Sequence, residues 1–410
     1  MKTTNEQKIE EILTRGVEKI YPTKESLEQV LLSGKKLKIY IGIDPTNPNI
    51  HIGNAVVLWK LREFQDLGHK VILLLGDFTG RIGDPSDKNS MRPRLNHEQV
   101  LENAKTYKEQ ASKILDFKSK NNPCELLFNS AWLDKLTNKE LLELAGHFTV
   151  QQMIERDLFQ KRLAENKPIG LHEFLYPLYQ GYDSVAMEVD MEIGGQDQTF
   201  NMLIGRDLVE SYLKKEKFVL ATTLLEGTDG RKMSKSWGNV INLNDSPNEK
   251  YGKVMSIKDG LIVNYFRLGT RVDEKKIEKI KKDLKSGKVN PRNVKAELAR
   301  EIVSLYHGER IAEGAEKEFD KVFKENKVPT EIPEFSIDKI ISTNKGKKTL
   351  DILDLLFEIN LVSSKSEAKR MIIQKGIKVN GKIWSDWKKE VEIKKGIIIQ
   401  VGKRKAVKII

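Results

Sequence analysis

At 410 residues, with 39% hydrophobic and 32% charged side chains, the chain is long enough for two to four domains and too apolar for wholesale disorder. Its 71 basic residues against 59 acidic ones leave a net charge of +12, which favours a polyanionic partner. The single cysteine, Cys124, excludes an intrachain disulfide and a multi-cysteine metal centre, the polar residues 1–10 hold no signal core and no run is apolar enough to span a membrane, so a cytoplasmic protein with no membrane partner is expected.

Residues 37–43 alternate into an apolar run and predict a strand. A loop over 44–50 leads into Val56, Val57, Leu61, Phe64 and Leu67 at helical spacing, with Gly68 as the stop. Residues 71–75 are a continuous apolar run of strand length, expected as a buried parallel strand. Strand, helix and strand make a βαβ unit. The Gly-rich polar loop 76–84 then falls where open parallel sheets carry their ligands. Residues 95–175 read mostly as helix. Residues 218–225 read as a strand followed by a polar loop. The lysine-rich stretch 273–288 has helical spacing, either as a solvated face or as an RNA contact. Asn290 and Pro291, as N-cap and first helical residue, predict a helix over 292–306 that ends at Gly308. Residues 326–348 hold Pro329 and Pro333 with little apolar periodicity and read as a linker. The last 62 residues carry fourteen Lys/Arg against seven Asp/Glu, a net +7. They read as two short helices, then strands turned at Asn380-Gly381. Trp384 and Trp387 there either stack on a base or pack within the small domain.

Two short motifs carry the chemistry together. His51-Ile52-Gly53-Asn54 stands where the first βα loop enters its helix, and Lys232-Met233-Ser234-Lys235-Ser236 lies in the polar loop after the 218–225 strand. A helix N-terminus attracts phosphate through unpaired N–H groups and its dipole. Gly53 lets a flat base or ribose approach the backbone. His51 can donate a hydrogen bond to a phosphate oxygen as charge builds. Lys232 and Lys235 can converge on one pyrophosphate, with Met233 as an anchor and Ser234 and Ser236 as neutral donors. Taken singly, such a histidine is an ordinary cap and such a lysine pair is solvated surface. Their order and their α/β context change that reading. Neither a G-x-x-x-x-G-K-[ST] loop nor a G-x-G-x-x-G fingerprint is present.

HIGN followed roughly 180 residues later by KMSKS resembles the class I aminoacyl-tRNA synthetases. The nearer likeness is to the tyrosyl-tRNA synthetase family, over almost the whole chain. Residues 40–46, 79–86, 176–183 and 194–198 carry it, and the basic tail resembles the S-four type of small RNA-binding fold. The resemblance implies an α/β fold: a Rossmann-like nucleotide-binding domain with a parallel sheet over 1–243, carrying a helical insertion near 125–175. A helical anticodon-recognition domain over 244–325, the 326–348 linker and a small α+β RNA-binding domain over 349–410 would follow. It implies a tyrosine–tRNA ligase that uses L-tyrosine, ATP and tRNA(Tyr). It also implies a homodimer whose interface includes residues 148–162. Magnesium would arrive with ATP, with no dedicated metal cage.

The same resemblance assigns roles. Thr46 and His51 meet the γ-phosphate side of ATP, Gly53 and Asn54 approach the nucleoside, and Lys232 and Lys235 hold the departing pyrophosphate. Gly42, Asp44, Met233, Ser234 and Ser236 complete the ATP set. Tyr176, Gln180 and Asp84 hold the α-ammonium of tyrosine, and Tyr40 and Asp183 bond its phenolic hydroxyl. Thr79, Asp197 and Gln198 line the tyrosine and ribose side. Asn54 stands where the family more often has a second His; its amide can still donate a hydrogen bond. Read from the residues alone, Tyr176, Gln180 and Asp183 share one face if 176–183 is helical, as a ligand grip or as a buried polar network. A site that bonds a hydroxyl rejects the analogue lacking it, because its own groups are left unpaired; tyrosyl enzymes are themselves the standard illustration of that rule. A tryptophanyl enzyme or another nucleotidyltransferase would not explain Tyr40, Asp183 and the tail. A non-catalytic RNA-binding relative would not need KMSKS.

Overall fold

A computed structural model of the chain describes residues 4–84, 95–234, 237–323, 332–343, 349–402 and 405–410. It divides into two compact units, Met1–Tyr306 and His307–Ile410. Among the described residues no helix is long and apolar enough to cross a membrane.

The first unit is built on one sheet. Its strands are β1 (Val17–Tyr21), β2 (Lys38–Ile43), β3 (Lys70–Leu75), β4 (Glu125–Phe128), β5 (Met191–Gly195) and β6 (Phe218–Thr222), in the order β1-β6-β5-β2-β3-β4. Neighbours run parallel except β1, which is antiparallel to β6. Val71 to Leu75 and the whole of β6 are buried, which is why both read as unbroken apolar runs. The expected βαβ unit is present: β2, the helix Ile52–Asp66, then β3 in register from Lys38↔Lys70 to Ile43↔Leu75. Gly68, at φ +81, turns the chain between helix and strand.

The stretch 95–175, expected to be mostly helix, also holds the strand β4. Leu126 and Leu127 pair with Leu73 and Leu74 at the sheet edge. A four-residue apolar run has no period, so only the open edge of β3 decides its state. The helical insertion expected from about 125 therefore starts after β4. Its helices Ser130–Leu133, Asn138–Gly146, Val150–Ile154 and Asp157–Ala164 lead to the long helix Leu171–Ala186. Arg162 is fully buried and grips Glu173 with two parallel hydrogen bonds of 2.8 and 2.9 Å. Arg162→Ala would leave that carboxylate buried and uncompensated. A loss of about 3–5 kcal/mol is expected, read as a lower midpoint in urea unfolding; an unchanged midpoint would show that the pair is dispensable.

The boundary expected at 243/244 is not a break between the units. Arg15 donates to the carbonyls of Arg267, Thr270 and Val272 at 2.8–2.9 Å. Trp59 Nε1 donates to Tyr306 Oη at 3.2 Å. The helices Pro247–Met255, Ile262–Gly269 and Glu274–Lys285 thus belong with the sheet. The lysine-rich helix Glu274–Lys285 buries Ile277 and Ile280 and exposes its lysines. The helix after Asn290 runs Pro291–His307, as its cap predicts.

In the second unit, β7 (Glu334–Phe335), β8 (Thr349–Asp351), β9 (Ile377–Val379), β10 (Lys382–Ile383), β11 (Glu390–Glu392), β12 (Ile398–Val401) and β13 (Lys405–Ile409) form a sheet ordered β10-β9-β12-β13-β7 and a β11-β8 pair. The two expected short helices are Ile352–Glu358 and Lys365–Ile373. Asn380 (φ 49) and Gly381 (φ 79) make the tight β9–β10 turn. The 326–348 linker is corrected in part. β7 pairs with β13, and the helix Ile337–Thr343 seats Ile340 in the same core as Leu355, Ile372 and Ile399; Pro329 lies outside the described residues. Trp384 and Trp387 both pack against that core, so their apolar surface is used within the fold.

Candidate active site

β3 and β4 lie on one side of β2, and β5, β6 and β1 on the other. The chain order reverses between β2 and β5, and open α/β sheets bind ligands at the strand ends beside such a reversal. A cavity of about 350 Å³ occupies that place. It collects Tyr40, Gly42, Asp44, Thr46, His51, Gly53, Asn54, Thr79, Asp84, Tyr176, Gln180, Asp183, Asp197, Gln198, Lys232, Met233 and Ser234. Lys235 and Ser236 lie outside the described residues, as do Pro85 and Ser86.

One end is built by the two motifs. His51 is the N-cap of the helix Ile52–Asp66; its Nδ1 accepts from the Asn54 N–H at 3.2 Å while Asn54 Oδ1 accepts from the His51 N–H at 3.3 Å. This capping box gives Asn54 a structural duty: it closes the turn with its oxygen, as Glu or Gln does in longer form. With Nδ1 accepting, the neutral ring carries its proton on Nε2. A Cβ on Gly53 would stand 3.0 Å from His51 Nδ1 and 3.2 Å from Met233 Sδ. Met233 is buried, so the second motif is anchored on the first through the residue that lacks a side chain. Backbone bonds of 2.8 Å from Ile52 to Ile241 and from Leu243 to Ile50 zip the following segment to the same turn. Lys232 Nζ meets Asp197 Oδ2 at 2.6 Å.

The middle is organised by Asp44, which accepts from Thr79 Oγ1 at 2.6 Å and from Tyr176 Oη at 2.9 Å. Gly76 makes room for it, since a Cβ there would fall 2.0 Å from Asp44 Oδ1. Burial and the charges of Asp44 and Asp84 push the Tyr176 phenol well up, so it stays a donor. Asp84 accepts from Arg156 at 3.0 Å and from Gln198 Nε2 at 2.6 Å.

At the far end Tyr40 is fully buried, with its Oη 2.9 Å from Ser184 Oγ. Asp183 accepts from Trp132 Nε1 at 2.7 Å and Asn129 Nδ2 at 3.2 Å. Burial raises the Asp183 carboxyl, against those two hydrogen bonds. Tyr176, Gln180 and Asp183 do share one face of the helix Leu171–Ala186. They are both cavity-lining and members of a polar network: Gln180 donates to Glu192 Oε1 at 3.0 Å, and its own Oε1 accepts from Asn201 at 2.9 Å.

Sequence reasoning missed Asn129, Trp132, Arg156, Ser184, Glu192, Asn201 and Lys217. A signal existed for the first two. They follow β4, and recognising that strand would have drawn attention to the loop at its C-terminal end. Among the described residues no group of three or more His, Cys, Asp or Glu is placed to hold a metal ion.

The sequence matches the family described as tRNA synthetases class I (W and Y) over residues 32–324 and the S4 domain over 352–393. It is 48% identical to the tyrosine–tRNA ligase of Thermotoga maritima over 97% of this chain and 96% of that one. The chain belongs to the tyrosyl-tRNA synthetase family. Other members are similar over comparable spans: the tyrosine–tRNA ligase of Moorella thermoacetica at 46% identity, covering 96% of this chain and 94% of that one, and tyrosine–tRNA ligase 2 of Clostridium acetobutylicum at 44%, covering all of both. Among solved structures, a C-terminally truncated mitochondrial tyrosyl-tRNA synthetase of Aspergillus nidulans superposes with a TM-score of 0.65 at 23% identity, over 77% of this chain and 94% of that one. The Archaeoglobus fulgidus tyrosyl-tRNA synthetase, solved with L-tyrosine, gives 0.60 at 23%, over 76% and 99%. At those identities the two structures speak for the synthetase fold.

Proposed function

We propose that the chain is a tyrosine–tRNA ligase: it activates L-tyrosine with ATP to tyrosyl-adenylate and pyrophosphate, then transfers tyrosine to the 3′-terminal adenosine of tRNA(Tyr). What carries the reading is that one cavity holds the His51 helix terminus and the Met233 loop at one end and Tyr40 with Asp183 at the other. A nucleotide grip and a hydroxyl-reading pocket then face a single reacting centre.

The tyrosine carboxylate oxygen attacks the α-phosphorus, and the bond to the bridging oxygen breaks to release pyrophosphate. The ribose hydroxyl of tRNA later attacks the tyrosyl carbonyl and AMP departs. The first step asks for positioning and for stabilisation of phosphate charge. Tyr176, Gln180 and Asp84 hold the ammonium, and Tyr40 and Asp183 hold the phenol. Thr79, Asp197 and Gln198 complete the tyrosine and ribose side. Thr46 and His51 stabilise the outer phosphates, with Lys232 and Lys235 on the leaving pyrophosphate. Gly42, Asp44, Gly53, Asn54, Met233, Ser234 and Ser236 shape the nucleotide side. Magnesium enters as the counter-ion of ATP. ATP–pyrophosphate exchange measured with each amino acid tests the reading; exchange with an amino acid other than tyrosine, or none at all, would refute it.

A homodimer is part of the proposal. It is supported by apolar side chains turned to solvent around the 148–162 stretch, with Leu142 75%, Val150 64% and Leu171 82% exposed. The helices over 244–323 serve anticodon recognition and residues 332–410 serve tRNA binding, in a cytoplasmic enzyme. His51→Ala is expected to slow adenylate formation by about 10²-fold with little change in tyrosine or ATP dissociation constants. Because His51 is also a cap, His51→Asn is the control: it keeps the cap and loses the ring. Both variants should be equally slow in single-turnover adenylate formation. Recovery in His51→Asn would mean that the cap, and not the ring, matters.

A further inference from the structure

Behind the phenol end of the cavity lies a buried chain of polar groups. Lys217, Ser184 and Tyr40 have no solvent exposure and Glu192 is 2% exposed. Lys217 Nζ donates to Ser184 Oγ at 2.7 Å, pairs with Glu192 Oε2, and reaches the Met202 carbonyl at 3.3 Å. The other oxygen of Glu192 accepts from Gln180.

Counting protons and comparing distances favours one direction for each hydrogen bond. An ammonium has donors only, so Ser184 Oγ accepts from Lys217. Ser184 then has one proton to place, with Tyr40 Oη at 2.9 Å and Glu192 Oε2 at 3.5 Å. The longer contact is at the limit of a hydrogen bond, and that oxygen is already ion-paired with Lys217. The proton therefore goes to Tyr40. Its Oη then accepts from Ser184, and its own hydrogen is left to Glu192 or to a ligand hydroxyl. Asp183, held as an acceptor by Trp132 and Asn129, completes the other half. A hydroxyl seated between them accepts from Tyr40 and donates to Asp183.

We propose that Lys217, acting through Ser184, is a positioning residue that fixes Tyr40 as a hydrogen-bond donor toward the substrate's phenolic oxygen, and so contributes to discrimination between tyrosine and phenylalanine. The proposal rests on the reading of this cavity as the tyrosine site. Glu192 supplies the countercharge that lets an ammonium stay buried there. A neutral residue at 217 would free Ser184 to accept from Tyr40, and Tyr40 would then present only lone pairs to the ligand.

The test measures kcat/KM for tyrosine and for phenylalanine in ATP–pyrophosphate exchange. The variants are Ser184→Ala, Tyr40→Phe, their combination, and Lys217→Met made together with Glu192→Gln so that no lone charge is buried. Ser184→Ala and the Lys217/Glu192 pair variant are each expected to lower the tyrosine-to-phenylalanine ratio about tenfold, entirely through the tyrosine value. In the Tyr40→Phe background, Ser184→Ala is expected to change nothing further, because the relay has lost its last member. Equal falls for both amino acids, or additive losses in the combined variant, would overturn the relay and leave the pocket assignment standing. A Tyr40→Phe variant with an unchanged ratio would instead overturn the tyrosine-site reading, and the relay with it.

Discussion

Asp183→Asn should lower kcat/KM for tyrosine activation by about 10²- to 10³-fold and affect phenylalanine far less. The carboxyl is buried, and its two oxygens already accept one hydrogen bond from Trp132 and one from Asn129. A ligand phenol is a third donor, and a carboxylate has the lone pairs to receive it. An amide has one acceptor oxygen. Its NH₂ would face either Trp132 or Asn129, both of which also offer hydrogens there. The variant thus loses the phenol's acceptor and leaves a buried donor unpaired. The discrimination ratio isolates the first effect, since phenylalanine needs no acceptor. Thermal unfolding isolates the second. A variant whose two kcat/KM values fall together would show that Asp183 supports the pocket walls and does not read the hydroxyl.

The features legible in the sequence are those set by local physics. β2, its helix and β3 show themselves by apolar period, a capping residue and Gly68. The two motifs mark their own turns, and Asn290-Pro291 marks a helix start. The features that were not legible depend on partners far along the chain. β4 is a strand because β3 offers an open edge, and β7 is one because β13 pairs with it through Lys408 and Ile409. Lys217 stands immediately before β6 and by type reads as exposed. It is buried because Glu192 on the adjacent parallel strand faces it, and the β5–β6 register that brings them together appears in neither segment alone. Arg156 and Arg162 likewise read as surface charges of a helical insertion until Asp84 and Glu173 are in place. The end of the site built from backbone turns and glycine was therefore visible early. The buried polar shell behind Tyr40 and Asp183 was not.

That same dependence on distant pairing decides where the chain is to be cut. Removing residues 332–410 should leave tyrosyl-adenylate formation nearly intact and lower tRNA charging by about 10²- to 10³-fold at physiological salt. Every residue assigned to the small molecules lies before Trp237, in the unit Met1–Tyr306, which is compact in its own right. A cut at 349, the boundary the sequence suggests, would strand β7 without β13 and expose Ile340, which is fully buried in the small domain's core. A chain ending at 348 should therefore aggregate more readily than one ending at 331. The electrostatic argument concerns residues 349–410, with fourteen basic side chains against seven acidic. Lys365, Arg370 and Lys375 are exposed on and just after the helix Lys365–Ile373. Each phosphate neutralised by such a side chain releases counterions, so charging by the full chain should weaken steeply with salt and charging by the truncated chain should weaken less. Exchange and aminoacylation measured side by side across a salt series give both quantities. Normal charging with the same salt slope after truncation would mean that the tRNA is held elsewhere, with the exposed lysines of the helix Glu274–Lys285 the first surface to neutralise. Collapse of exchange as well would mean that residues 332–410 stabilise the first unit, and that the labour is not divided as the charges suggest.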